Sequence, residues 1–161
     1  MRPWNERPVE IRNLFNPAFC GLVLSRAIMA FQEIDRKGMP FSLSLLVLPL
    51  CLHRETREVV RTKKKSYFLK IAAEHPEFQI GLARRCTDIL PFTFEGLGLL
   101  MQSGVLTVEA AGRLQIGAGI RKTLSGTHES LECQRTAAFL GKEFARIGDR
   151  STVYATLGVR P

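Results

Sequence analysis

The chain has 161 residues, 45% of them hydrophobic and 24% charged, which suffices for one buried core and excludes a small scaffold that depends on disulfides or metals. A formal net charge of +8 and a pI near 9.8 point to nucleic acid, anionic lipid or an acidic protein as partner, without choosing among them. Cys20, Cys51, Cys86 and Cys133 are widely spaced and mostly on apolar positions, so they read as reduced, buried thiols of a cytoplasmic protein.

Residues 1–16 read as an arm, because Pro3 and Pro8 break any helix and Trp4 stands among polar neighbours. The first seven residues have no apolar signal core and carry an early acid, so neither a secretory nor a transit peptide is expected. Asn16-Pro17 opens a helix as cap and first-turn proline, with Phe19, Leu22, Val23, Ala27, Ala30, Phe31 and Ile34 as its apolar stripe and Gly38 at its end. Residues 41–52 are apolar without a clean period; the leucines and Pro49 favour a buried helix over a central strand. That run is well short of the roughly 20 residues that span a bilayer, so no membrane partner is expected.

Residues 54–70 carry the densest positive charge, with Arg54, Arg57, Arg61, Lys63, Lys64, Lys65 and Lys70 against Glu55 and Glu58. They predict a short helix and an exposed loop. Ser66 is placed to cap a helix over 67–74, and His75-Pro76 to begin another that Pro91 closes, with Phe78, Leu82, Cys86 and Ile89 inward. Thr93 then caps a short apolar helix through Phe94, Leu97, Leu100 and Met101, stopped by Gly104. Residues 105–109 and 113–116 form a hairpin around Ala110-Ala111-Gly112, whose last position wants φ > 0. After a glycine-rich basic connection over 117–126, a long helix runs from Thr127 to Ile147 with Cys133, Ala137, Leu140 and Phe144 on one face; Gly148 ends it and Ser151 caps a last helix to about Leu157. The expected fold is mainly α with a small β-hairpin, a winged helix-turn-helix-like single domain over 17–161 behind the arm.

No grouping of Ser, His and Asp, nucleophile elbow or apolar carboxylate pair is legible, so no enzyme, catalytic residue or cofactor is expected. His128 and Glu132 are four apart, which suits a metal, but a solvated helix pair is the favoured reading and no metal site is expected. Residues 117–123 lack the glycine spacing of a phosphate loop. The helix after Thr93 has the position of a recognition helix, yet it carries Glu95 and no lysine or arginine, so burial or protein contact suits it better than a DNA groove. Residues 54–70 remain the candidate for sequence-independent phosphate contact, against a merely solvated face.

Several segments together carry a family resemblance: Trp4-Asn5-Glu6-Arg7-Pro8-Val9-Glu10 with Leu14-Phe15-Asn16-Pro17-Ala18-Phe19; Gly38-Met39-Pro40-Phe41 with Leu48-Pro49-Leu50, His53 and Thr56-Arg57; Pro91-Phe92-Thr93; and Leu157-Gly158-Val159-Arg160-Pro161. The chain resembles the middle component of bacterial three-component ABC systems, related to the accessory subunit of Lamassu-type anti-phage defence. The resemblance implies a non-enzymatic subunit that links an SMC-like ABC ATPase to an effector, often a nuclease, in a complex that handles DNA. Trp4, Asn5, Arg7, Phe19 and Arg160 are then the expected partner contacts, since aromatic and arginine side chains dominate desolvated interfaces. The competing reading is a free-standing winged-helix DNA-binding regulator.

Overall fold

Helix α2 (Pro17–Gln32) begins as its sequence directs: the Asn16 side chain accepts the Ala18 amide at 2.8 Å, and Pro17 occupies the first turn. The computed structural model describes residues 3–160, and within them every side chain except those of Trp4 and Ala110. Cys20, Val23, Leu24, Ala27 and Ile28 are wholly buried. α2 is therefore the centre of the core rather than a surface helix with one apolar stripe, and only Ile34 of the expected stripe lies beyond it, in the exposed turn. By length and composition, residues Val9–Gln32 would suit a bilayer, with a mean hydropathy of 1.5, but 56% of that window is buried within this fold.

Two long helices flank α2: α7 (Leu82–Gln102) and α8 (His128–Ile147). Both come unusually close. A Cβ on Gly96 of α7 would lie 2.9 Å from the Gly21 nitrogen, and one on Gly141 of α8 would lie 2.0 Å from the Ala27 carbonyl oxygen. Short helices α3 (Phe41–Ser44) and α4 (Val47–Cys51) bring Leu43, Leu48 and Leu50 into the same core, so the apolar run of 41–52 is helical as expected. α5 (Arg54–Lys63), α6 (Phe68–Glu74) and α9 (Arg150–Thr156) lie around α8, where Phe68 meets Phe144 edge-on at 5.5 Å between ring centres.

The hairpin forms at the expected residues, β2 (Leu106–Glu109) against β3 (Arg113–Ile116), in the register Leu106↔Ile116 and Glu109↔Arg113. Its loop carries φ 68° at Gly112 and also φ 62° at Ala111, where a side chain tolerates the left-handed region less easily. A third strand, β1 (Met39–Pro40), joins antiparallel on the other side of β3, giving the order β1-β3-β2. Two residues show no alternation, so this strand is invisible in sequence. Arg113 fixes the join by donating to Asp35 at 2.9 Å and to the Gly38 carbonyl at 2.8 Å.

Four local expectations change. Pro91 does not end a helix: α7 runs continuously through it, because the proline faces solvent, where water can satisfy the carbonyl it leaves free. Thr93 accordingly caps nothing, and its hydroxyl donates back to the Ile89 carbonyl at 3.3 Å. Residues 75–80 supply only a short 3-10 turn (Pro76–Gln79), and α7 starts after Gly81, at φ 66°. Neither serine caps: Glu143 of α8 accepts the Phe68 amide at 2.7 Å to start α6, and Asp149 accepts the Ser151 and Thr152 amides to start α9. The N-terminal segment, expected without elements, winds into a 3-10 turn (Trp4–Glu6) and helix α1 (Val9–Leu14), with Pro8 just ahead of the first turn where no amide is needed.

Gly141→Ala should destabilise the protein by about 1–3 kcal/mol, since the new methyl meets backbone that can yield only by parting α2 from α8. Gly98→Ala has open space around its Cβ and should gain up to about 1 kcal/mol from helix propensity. Urea unfolding of the two variants measures the difference; equal midpoints would contradict the close crossing.

Candidate nucleic-acid and partner interface

The positive segment folds into a short amphipathic helix. α5 turns Thr56, Arg57 and Val60 inward and leaves its other cations in solvent, with lysines at the C-terminal end where the helix dipole favours them. Arg54 pairs with Glu58 at 3.0 Å and Lys70 with Glu74 at 3.8 Å, both exposed pairs of small energetic weight. Lys63, Lys64 and Lys65 are exposed and make no ion pair among the described residues. Arg57 leaves the expected set. Its side chain is 5% exposed, and its guanidinium donates to the Cys51 carbonyl at 2.9 Å and to Glu129 at 2.8 Å, so it ties α4 to α8 instead of facing phosphate.

α5 and α8 enclose a recess of about 560 Å³ beneath this face. Val60, Thr136 and the half-buried Phe139 form its floor, while Arg61, Lys64 and Arg135 stand at its mouth. Glu132 sits inside, 22% exposed, with Arg61 at 3.7 Å and His128 at 3.8 Å. His128, 83% exposed, and the more enclosed Glu132 form an i,i+4 pair on α8; no cluster of three His, Cys, Asp or Glu suited to a metal occurs among the described residues. Sequence reading missed Arg135, since nothing in the chain order announces that it stands across from Lys64.

The expected partner contacts scatter. Arg7 clamps Glu95 with both terminal nitrogens, one at 2.7 Å, and its side chain is 8% exposed, so it fastens the N-terminal segment to α7. The same bond neutralises the glutamate that argued against phosphate contact. Phe15 stacks on Phe92 at 4.3 Å between ring centres and reinforces that attachment. Asn5 is exposed, and the Trp4 side chain lies outside the described part of the chain. Phe19 is half-buried and lines a cleft of about 480 Å³ with Leu14, Phe15 and Leu52. Arg160 is exposed beside another apolar cleft, formed by Phe41, Leu45, Leu90 and Val159.

A further apolar surface lies along α7, in the stretch for which the sequence favoured burial or protein contact. Phe94 is 49% and Met101 50% exposed, and Phe41 stacks on Phe94 at 6.3 Å between ring centres. Gly98 between them has open space where a side chain would stand. The signal was present in the apolar excess of that stretch, but only the fold tells which apolar residues face out. All four cysteines are free: Cys20, Cys51 and Cys133 are buried and Cys86 is half-buried. Burial raises every one of these thiols, Cys20 to about 12 and Cys51 well above its ordinary value.

The family model described as ABC-three component (ABC-3C) system Middle Component 3 matches residues 4–161. No curated protein and no solved structure matches the chain.

Alkylation of the native protein at neutral pH should modify Cys86 first and leave Cys20, Cys51 and Cys133 unlabelled until denaturant is added, as read by peptide mass spectrometry. Burial has a pH signature as well. An unfolded thiol ionises near 9.0 while the folded Cys20 keeps its proton to about 12, so its contribution to stability is complete below pH 9.0 and is lost as pH rises between those values. Cys20→Ala should flatten this alkaline fall in unfolding measurements.

Proposed function

The chain belongs to the ABC-three component system Middle Component 3 family, and on that premise we propose that it is a non-enzymatic bridging subunit in bacterial anti-phage defence. It joins an SMC-like ABC ATPase to an effector, often a nuclease, in a Lamassu-related cytoplasmic assembly. The observation that carries this reading is the family match across residues 4–161.

The surfaces divide the work. The order of α7 and its following hairpin supports a likeness to winged-helix accessory proteins, but the outward side of α7 offers Phe94, Met101 and a bare Gly98 rather than cations. It is a docking platform for a partner subunit, not a reader of bases. Trp4, Asn5, Phe19 and Arg160 extend the partner contacts at the ends of the chain, and Arg7 holds the N-terminal part of them in place through Glu95. Lys63, Lys64 and Lys65, with Arg54, Arg61 and Lys70, meet the phosphate backbone of DNA held by the ATPase, without base specificity. The hairpin and the +8 charge favour one other reading, a free-standing DNA-binding regulator. Such a regulator would bind an operator in the presence of competitor DNA.

Co-expression with the neighbouring ATPase and effector genes should give a complex that co-purifies. Changing Lys63, Lys64 and Lys65 together to Glu should leave that complex intact and lower its DNA affinity about tenfold or more at low salt. A chain that never associates with the other components, or that selects an operator alone, overturns the bridging reading; a complex that falls apart on the triple change moves the lysines to a protein interface.

A further inference from the structure

We propose that the recess between α5 and α8 is a site for single-stranded nucleic acid, which places an unpaired base over Phe139 and its flanking phosphates on Lys64, Arg135 and Arg61. It rests on the reading that the lysine face meets nucleic acid, and it names the form that the recess selects. Its geometry follows from helical spacing. Glu132, Arg135, Thr136 and Phe139 recur at intervals of three and four on α8, and Val60 and Arg61 stand four and three residues before Lys64, the C-cap of α5, so the two helices bring one charged rim and one apolar floor together.

The unpaired cations of the recess stand at its mouth, whereas Arg57, the deepest charge of its lining, is 5% exposed and paired with Glu129. Lys64 and Arg135 at the mouth are exposed and make no ion pair among the described residues, so they are available to phosphate. Arg61 is 64% exposed and only loosely held by Glu132 at 3.7 Å. The carboxylate lies further in, 22% exposed, above Val60, Thr136 and Phe139. A nucleotide unit has the same order: an anionic backbone outside, and inside a flat apolar face edged with N–H donors that a carboxylate can accept.

That order separates the alternatives. A duplex presents its phosphates on a convex surface and keeps its bases stacked, so it meets the lysines at the end of α5 without filling a recess of about 560 Å³. An acidic peptide suits the rim but would carry its own carboxylates towards Glu132. An unpaired strand fits both levels, since positive grooves with aromatic faces bind single strands by combining backbone charge with stacking. Tyr67 is 72% exposed and follows Lys65 by two residues, which supplies a second ring next to the lysines for the adjoining base.

The test uses the full chain and a fluorescently labelled single strand of about 20 nucleotides, the same sequence as a duplex, and poly-glutamate, followed by anisotropy across a salt series. The single strand should bind about tenfold or more tightly than the duplex. Lys64→Glu combined with Arg135→Glu should weaken strand binding about tenfold or more and reduce the salt slope by about 0.7 for each phosphate no longer neutralised. Phe139→Leu keeps an apolar floor but removes the π face, and should cost about fivefold on the strand with no effect on the duplex; Tyr67→Ala, at an exposed position, repeats that readout without touching the core. Circular dichroism verifies that each variant is folded. Equal binding of strand and duplex with no effect of Phe139→Leu overturns the recess and leaves the backbone contact standing. Poly-glutamate bound as tightly as the strand assigns the recess to an acidic protein segment and overturns it as well. No binding of any nucleic acid at low salt overturns both this site and the lysine contact.

Discussion

Everything else in this structure depends on how closely α2 is gripped. At Gly21 and Gly96 the backbones of α2 and α7 nearly touch, and at Ala27 and Gly141 those of α2 and α8 do. No side chain intervenes at either crossing, so α2 is sealed on both sides and buries most of its length. The two outer helices then define the working faces. α7 carries the hairpin at its C-terminal end and the N-terminal segment on its flank through Arg7–Glu95 and Phe15–Phe92. α8 carries α5 and the recess, and its Glu143 starts α6.

The same grip explains how the basic connection over 117–126 is held. Arg26 on α2 is 6% exposed and makes no ion pair among the described residues; its guanidinium donates to Gln134 at 3.1 Å and to the backbone carbonyls of Arg121 and Thr123. Burial pushes its pKa down from the ordinary arginine value, while the carbonyls satisfy its donors. A buried cation therefore fastens the chain between hairpin and α8. Gly119 and Gly126, at φ 116° and 129°, give that connection turns that other residues adopt less easily.

Net charge consequently misleads as a map. Arg7, Arg26, Arg57 and Arg113 are occupied within the fold, by Glu95, by loop carbonyls, by Glu129 with Cys51, and by Asp35 with Gly38. The cations left for a partner gather on α5, the lysine turn and the facing side of α8. α7 by contrast offers solvent an apolar row. The fold thus keeps these two chemistries on different helices, one at each flank of α2.

Much of the architecture was legible in the sequence because its signals are local. Asn16-Pro17 starts α2, Thr127 and Gly148 bound α8, and Ala110-Ala111-Gly112 turns the hairpin, each through backbone chemistry confined to a few residues. The absence of lysine and arginine from residues 94–102 was equally plain in the sequence. Family membership was legible too, in segments spread from Trp4 to Arg160. What sequence could not determine were the places where a distant residue overrides the local signal. Glu143 replaces Ser66 as the cap of α6, β3 turns Met39 and Pro40 into a strand, and a solvent-facing Pro91 is carried through a long helix. The site shows the same division. Lysines 63–65 stand out in the chain by composition, but whether an arginine is free or spent depends on which carboxylates and carbonyls the fold brings within hydrogen-bond distance of it. Burial with those contacts removed Arg57 from the face, and the packing of α8 against α5 brought Arg135 to it, because charge is a property of the residue and availability a property of the packing.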